Sequence, residues 1–247
     1  MSRSKLILLL AAVTGIIAFF VLRERGERDD DDDERRPVAA TNTAEPTAPI
    51  QAAGKEFTYN FDQDKVGEIP PDFHSALTGS GPKPEWVVQA DSSAPSKPNV
   101  LTQTSSDRTD YRFPLAVLDD GSFGDLDLSV KFKAVSGKID RAAGLVFRLK
   151  DANNYYLVRA NALEDNYNLY HVVGGSRREI TGSHVRVTSG EWHEIRVEMI
   201  GTRITCYYDG QKKIETTDDT FKDAGKIGVW TKADSVTSFD DFHVIAK

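Results

Sequence analysis

The chain is predicted to be an all-β protein: a sandwich of two antiparallel sheets arranged as a jelly roll, behind an N-terminal apolar segment and a polar tether. Three observations lead to this class. At least twelve short runs rich in Val, Ile, Leu, Tyr and Phe follow one another, with turn signals every eight to twelve residues. Outside the N-terminal segment, no stretch of about a dozen residues sustains the 3.6-residue period of a helix. The clearest part, GLVFRLKDANNYYLVRANALEDNYNLYHVV, reads as three consecutive strands over Gly144–Lys150, Tyr155–Asn161 and Tyr167–Val173. They are broken at Asp151–Asn154 and Glu164–Asn166, where Asn and Asp favour turns.

Alternation within that meander assigns faces. Leu145, Phe147 and Leu149 share one side of the first strand, and Val146 and Arg148 the other. In the second strand Tyr155, Leu157 and Arg159 alternate with Tyr156, Val158 and Ala160. If Phe147 is in the core beside Tyr156 and Val158, then Arg148 and Arg159 emerge together on the outer face, beside Tyr155. In the third strand only one of Tyr170 and His171 joins them. Arg148, Tyr155, Arg159, Tyr170 and His171 are therefore the candidate ligand residues. Guanidiniums beside tyrosine rings suit a polar ligand rich in hydroxyls or carboxylates. An ordinary solvated sheet face carries the same pattern.

At the N-terminus, Arg3 and Lys5 precede Leu6–Leu22, a run of 17 residues without a charge. At 1.5 Å per residue it spans about 26 Å, close to the lower limit for crossing a bilayer. It exceeds a typical signal-peptide core, and no small-residue cleavage motif follows it before Arg23-Glu24-Arg25. Residues 1–22 are read as an uncleaved signal anchor, with the following domain extracytoplasmic, periplasmic or at the cell surface. The positive-inside comparison between its two flanks is nearly balanced. Residues 23–55 are read as a disordered tether. Arg23–Arg36 carries five arginines against eight acids, and PVAATNTAEPTAPIQAAG follows with almost no large apolar side chain.

Residues 56–247 form the predicted domain. FTYNFD opens it, with Phe57, Tyr59 and Phe61 alternating against Thr58 and Asn60. After a proline-rich passage, short strands are expected at Trp86–Val88, Val100–Thr102, Tyr111–Leu118 and Asp125–Val135. Pro114 marks an edge or a bulge in the third of these. Beyond the meander come Arg177–Thr181, Val185–Thr188, Trp192–Ile200 and Arg203–Tyr208. Asp209-Gly210 is a two-residue hairpin signal into Gln211–Thr217, and Lys226–Thr231 and Ser238–Ala246 close the chain.

Composition narrows the chemistry. The net charge of −7, with no basic cluster in the folded part, argues against nucleic acid. Cys206, the single cysteine, excludes an intramolecular disulfide and alternates with Ile204 and Tyr208 as a buried thiol. His74, His171, His184, His193 and His243 show no zinc-binding spacing, and no nucleophile elbow, phosphate loop or dinucleotide fingerprint occurs. Trp86, Trp192 and Trp230 read as core residues before sugar platforms.

The succession YNFDQDKVGEIPPDF, GLVFRLKDANNYYLVR, GEWHEIRVEMIGTRITCYYDGQ and GKIGVWTKADSVTSFDDFHV resembles the concanavalin A-like lectin/glucanase superfamily. Within it the chain is most similar to the 3-keto-disaccharide hydrolase domain, with laminin-G-like modules alongside. The resemblance covers about residues 57–247. It implies a jelly roll of two curved sheets with a saccharide on the concave one, and either glycan binding or glycoside cleavage. The Glu-x-Asp-x-(x)-Glu strand motif of laminarinase-type glucanases is missing from the folded region: Glu191-Trp192-His193-Glu194 lacks the central acid, and its ends fall on opposite faces. No catalytic residue of the family transfers onto this chain.

Asp62 and Asp64 follow the first strand, and Asp240 and Asp241 lie in the last. Terminal strands often lie side by side in carbohydrate-associated jelly rolls, tied by calcium, and these hard oxygen ligands suit that ion. Two function classes follow: a membrane-tethered extracytoplasmic carbohydrate-binding module, or a glycoside-processing hydrolase of the 3-keto-disaccharide type.

Overall fold

The computed structural model describes residues 54–247; the anchor read at 1–22 and all but the last residues of the tether at 23–55 lie outside them. Among the described residues no helix is long and apolar enough to cross a membrane.

Fifteen strands are found among the described residues. The first five are β1 (Glu56–Tyr59), β2 (Phe73–Gly79), β3 (Trp86–Ala90), β4 (Asn99–Gln103) and β5 (Arg112–Leu118). Next come β6 (Leu126–Ser136), β7 (Ala142–Asp151), β8 (Asn154–Asn161), β9 (Asn166–Val173) and β10 (Ser176–His184). The chain closes with β11 (Trp192–Ile200), β12 (Arg203–Tyr208), β13 (Gln211–Thr217), β14 (Lys226–Trp230) and β15 (Val236–Ala246). Val185–Thr188, expected as a strand, lies outside all of them.

One sheet has eight strands, in the order β13-β12-β11-β6-β15-β4-β3, with β1 pairing on β15; the other has seven, β10-β9-β8-β7-β14-β5-β2. The terminal strands do lie side by side, with Phe57 opposite Val244 and Tyr59 opposite Phe242. Asp209 and Gly210 take φ of 47° and 74° between β12 and β13, the left-handed pair a tight hairpin needs. Pro114 sits on β5, which pairs with β14 and β2 and is therefore one strand in from the edge.

The main core lies between the sheets. Leu126, Leu128, Val130 and Phe132 of β6 meet Leu145, Phe147, Tyr156 and Val158 of the meander, with Ile195, Val197 and Cys206 from the neighbouring strands. Each such fully buried large side chain contributes roughly 1.5–3 kcal/mol relative to exposure. The outer face of the eight-stranded sheet is polar. There Arg196 forms a two-pronged ion pair with Asp127 (2.7 and 2.6 Å) and stacks on Tyr207.

The seven-stranded sheet is apolar on both faces. Phe113, Leu115, Val117, Val146, Tyr155, Leu157, Tyr170, Val172 and Trp230 form a second buried cluster on its outer side. A face turned to water would not carry these residues, so this sheet folds over them.

Candidate functional site

The curl of the seven-stranded sheet creates the site. Thr78 of β2 and Tyr155 of β8 are four strand steps apart, about 19 Å across a flat sheet. Their hydroxyls nevertheless lie 2.8 Å apart, and Thr78 also donates to the carbonyl of Ala152. Tyr111, just ahead of β5, reaches across to donate to the carbonyl of Gly175 in the β9–β10 turn (2.6 Å). The outer face is therefore concave, and at this end the aromatic cluster fills it. Phe113 and Trp230 lie 5.3 Å apart, Tyr111 covers Phe113 at 4.7 Å, and burial pushes the Tyr155 hydroxyl up to about 12.

Toward β8–β10 the concavity becomes charged. Arg159, 2% exposed, donates from Nη2 to Glu164 Oε2 (2.8 Å) and Asn166 Oδ1 (2.6 Å), with its guanidinium 5.4 Å from the Tyr170 ring. Arg177 of β10 lies 4.8 Å from the rings of both Tyr170 and Phe113 and 5.7 Å from that of Trp230. Two buried N–H groups here have no acceptor, Arg159 Nε and Arg177 Nη1, and the buried Trp230 indole N–H has none either. Such groups are rare in folded proteins and call for an explanation.

An acid–base pair stands beside them. Lys232 Nζ lies between Asp110 Oδ1 (2.8 Å) and Asp140 Oδ2 (3.1 Å), and Asn161 donates to Asp140 Oδ1 (3.0 Å). The Lys232–Asp140 contact is close enough for an ion pair, but its alignment leaves Oδ2 without a hydrogen bond. Burial pushes the Asp140 carboxyl above its ordinary value, although Arg159 and Lys232 oppose the shift. Burial, and then the charge of Arg159, lower the Arg177 guanidinium.

Three of the five candidate ligand residues, Tyr155, Arg159 and Tyr170, share this face; two do not. Arg148 is buried at the end of the sandwich. It donates to the carbonyls of Gly124 (3.2 Å), Phe221 (2.8 Å) and Gly201 (2.8 Å) and meets Asp125 (3.3 Å). The cause is a β-bulge: Arg148 takes φ 45°, the pairing registers slip there, and Leu149 takes up the outer face instead. His171 falls on the opposite side of β9 from Tyr170, where Nδ1 meets Thr220 Oγ1 at 3.2 Å.

Of the four aspartates nominated for calcium, Asp62, Asp240 and Asp241 have partners within the protein. Asp62 accepts from the backbone of Asn99 (3.1 Å), Asp240 from Ser96 N and Oγ (2.9 and 2.8 Å), and Asp241 pairs with Lys131 (2.9 Å). Among the described residues no three His, Cys, Asp or Glu side chains are grouped to hold a metal. A calcium ion would have to displace these partners, so the melting temperature of protein prepared with calcium is expected to be unchanged by chelator. A fall of several degrees would reinstate the ion.

Another polar line occurs on the eight-stranded sheet. His193 lies 2.8 Å from Asp209 Oδ2 and 2.7 Å from Thr188 Oγ1. The Thr188 hydroxyl donates to Glu191 (2.7 Å) and the imidazole stacks on Tyr208, so this group ties β11 to the hairpin.

Residues that alternation did not reveal are Arg177, Asp140, Lys232 and Trp230. Arg177 belongs to a strand expected from the sequence, but its place on this face follows from the β9–β10 register, where it opposes Val172.

A jelly roll with guanidiniums beside aromatic rings on its concave sheet has a fold of the carbohydrate-binding and glycoside-hydrolase kind. The chain is a member of the 3-keto-alpha-glucoside-1,2-lyase-like domain family, whose model matches residues 85–245. No curated protein matches it. Among solved structures it is similar to the carbohydrate-binding module CBM66 from Bacillus subtilis, at 18% identity and TM-score 0.54, over 70% of this chain and 95% of that one. It is also similar to the GH43 protein BlXynB from Bacillus licheniformis (15% identity, TM-score 0.53), covering 77% of this chain and 39% of that one. The exoplasmic/lumenal domain of VIP36, in its Ca2+/Man-bound form, aligns at 11% identity and TM-score 0.52, over 78% of this chain and 89% of that one. At these identities the likeness is one of fold.

Proposed function

We propose that residues 56–247 form a saccharide-binding module, held outside the cytoplasm by the segment at 1–22, with its ligand on the concave face around Arg159, Tyr170 and Arg177. The observation that carries this reading is the pair of guanidiniums with unused N–H groups against one tyrosine ring. Sugars offer hydroxyls to such donors and an apolar ring face to an aromatic side chain. The family match and the fold shared with a carbohydrate-binding module and a mannose-bound domain support it. For the tether, the support is Leu6–Leu22 with its charged flanks.

A second reading, cleavage of 3-keto-glycosides, is favoured by Asp140. Elimination of a leaving group two carbons away from a ketone carbon begins with removal of the activated C–H proton from the carbon between them, and a carbon–carbon double bond forms as the C–O bond to the leaving group breaks. A carboxyl whose pKa is raised by burial, beside a lysine, is the kind of group that performs this step.

One experiment separates the readings: the full-length chain incubated with matched glycosides and 3-keto-glycosides, with both retention and product release followed. Retention without product is the expected result. Product from a 3-keto-glycoside that disappears in Asp140→Asn would establish the enzyme instead.

A further inference from the structure

We propose that the concave site selects a saccharide bearing a carboxylate, a uronic acid, and that Arg177 is the residue that reads it. This deepens the saccharide reading above and rests on it.

The argument begins with the charges that are already matched. Arg159 has Glu164, Lys232 has Asp110 and Asp140, Arg148 has Asp125, and Arg196 has Asp127. The acids around the rim are likewise taken. Glu164 accepts from Arg159 and Asn166, and Glu179 from Asn168 Nδ2 at 2.8 Å. Arg177 differs from these cations. It is half-buried, and among the described residues its guanidinium has no carboxylate within 4.0 Å and no hydrogen-bond acceptor. Around it are the rings of Phe113, Tyr170 and Trp230 and the like charge of Arg159, which adds to the effect of burial in disfavouring its charged form; Asp140, beyond ion-pair distance and paired with Lys232, offsets this only in part.

Aromatic faces offset only part of the cost of desolvating a cation. A planar carboxylate offset in front of the fork would supply the missing charge and two parallel hydrogen bonds. The nearly wholly buried Arg159 shares the Tyr170 ring and holds its charge against Glu164, so it backs the site from beneath and leaves Arg177 as the more exposed guanidinium. A neutral sugar would leave the Arg177 charge without a direct partner, which is the physical basis for discrimination.

The test uses the full-length chain and an array of matched neutral, uronate and sulfated oligosaccharides. The uronate form is expected to bind at least about tenfold more tightly than its neutral counterpart, from the worth of a charge-assisted pair. Arg177→Gln should remove that difference by weakening uronate binding far more than neutral binding, while Arg177→Lys keeps part of it. Raising the salt concentration should weaken uronate binding and spare neutral binding; this arm needs no variant and decides the matter should Arg177→Gln not fold. Equal affinity for neutral and uronate forms overturns the inference and leaves the saccharide reading standing, with Arg177 a cap over the aromatic cluster. A preference for sulfate over carboxylate overturns the carboxylate assignment. Binding of no saccharide at all overturns both.

Discussion

Arg148→Ala is expected to lower the stability of the domain by about 3–5 kcal/mol, the range for removing one member of a buried, hydrogen-bonded ion pair. Four partners depend on this guanidinium: the carbonyls of Gly124, Phe221 and Gly201, and Asp125. They come from three separate stretches of chain, so a single side chain fastens the β5–β6 connection, the β11–β12 turn and the loop before β14 to β7. Gly225 makes the arrangement possible. A Cβ there would lie 2.5 Å from the carbonyl carbon of Arg148, so only glycine lets β14 approach the bulge. The adjoining cleft of about 360 Å3 admits water and sets the loss toward the lower end of the range. At about 2–4 °C per kcal/mol for a domain of this size, the melting temperature should fall by at least about 6 °C. Saccharide retention measured well below the new transition should be close to wild type, because Arg148 is not on the concave face. A variant that melts with wild type yet loses its ligand would show that Arg148 belongs to the site after all.

The second large effect is expected at Asp234. Its carboxylate accepts the backbone N–H groups of Lys138 (2.8 Å), Ile139 (2.9 Å) and Asp140 (3.0 Å), which closes the turn between β6 and β7. Gly137 opens that turn with φ 146°, where a Cβ would strike the Asp140 carbonyl. Burial raises the Asp234 pKa, but the three N–H donors outweigh it and hold the carboxyl below its ordinary value. With charge-assisted bonds of about 1.5–3 kcal/mol each and partial replacement by water, Asp234→Ala should cost about 3 kcal/mol. The sign with pH follows from linkage: the folded-state pKa is depressed, so this contribution is fully present above the unfolded carboxyl value of about 3.9. It is lost as pH falls through the folded value. Denaturant unfolding should therefore show a constant gap between wild type and Asp234→Ala from neutral pH down to about 5, narrowing below about 4. A gap that persists unchanged into strong acid would mean that the stabilisation does not depend on the ionised carboxylate. Because the same turn carries Asp140 into the concave site, the variant should also weaken ligand retention.

Much of this molecule is readable from local pattern. With Phe147 in the core, alternation places Tyr156 and Val158 beside it and Tyr155 and Arg159 on the opposite face, as the strands show; between Tyr170 and His171 the structure chose Tyr170. The pairing of Asp209 with Gly210 specifies a hairpin, because a tight turn needs φ > 0 at both positions. The reading failed at Arg148 because parity counts residues and a bulge adds one. Nothing in GLVFRLKD marks the position, and the glycine that permits the bulge, Gly225, is far along the chain. Arg177 could be assigned to a strand, yet its role depends on which rings close around it. Phe113, Tyr170 and Trp230 come from β5, β9 and β14. The acid–base pair beside it joins Asp110, Asp140 and Lys232, which lie in three separate connections between strands.

The sequence by itself determined where most of the strands run and, wherever no bulge intervenes, which side chains share a face, because the pleat fixes both within a few residues. Only the tertiary structure decided that the seven-stranded sheet curls until Thr78 meets Tyr155, that the curl is filled by aromatic rings, and that two arginines packed against those rings are left with unused N–H groups. These outcomes depend on strand order, register and burial. All three are settled by contacts between residues distant in the chain, and no local period encodes them.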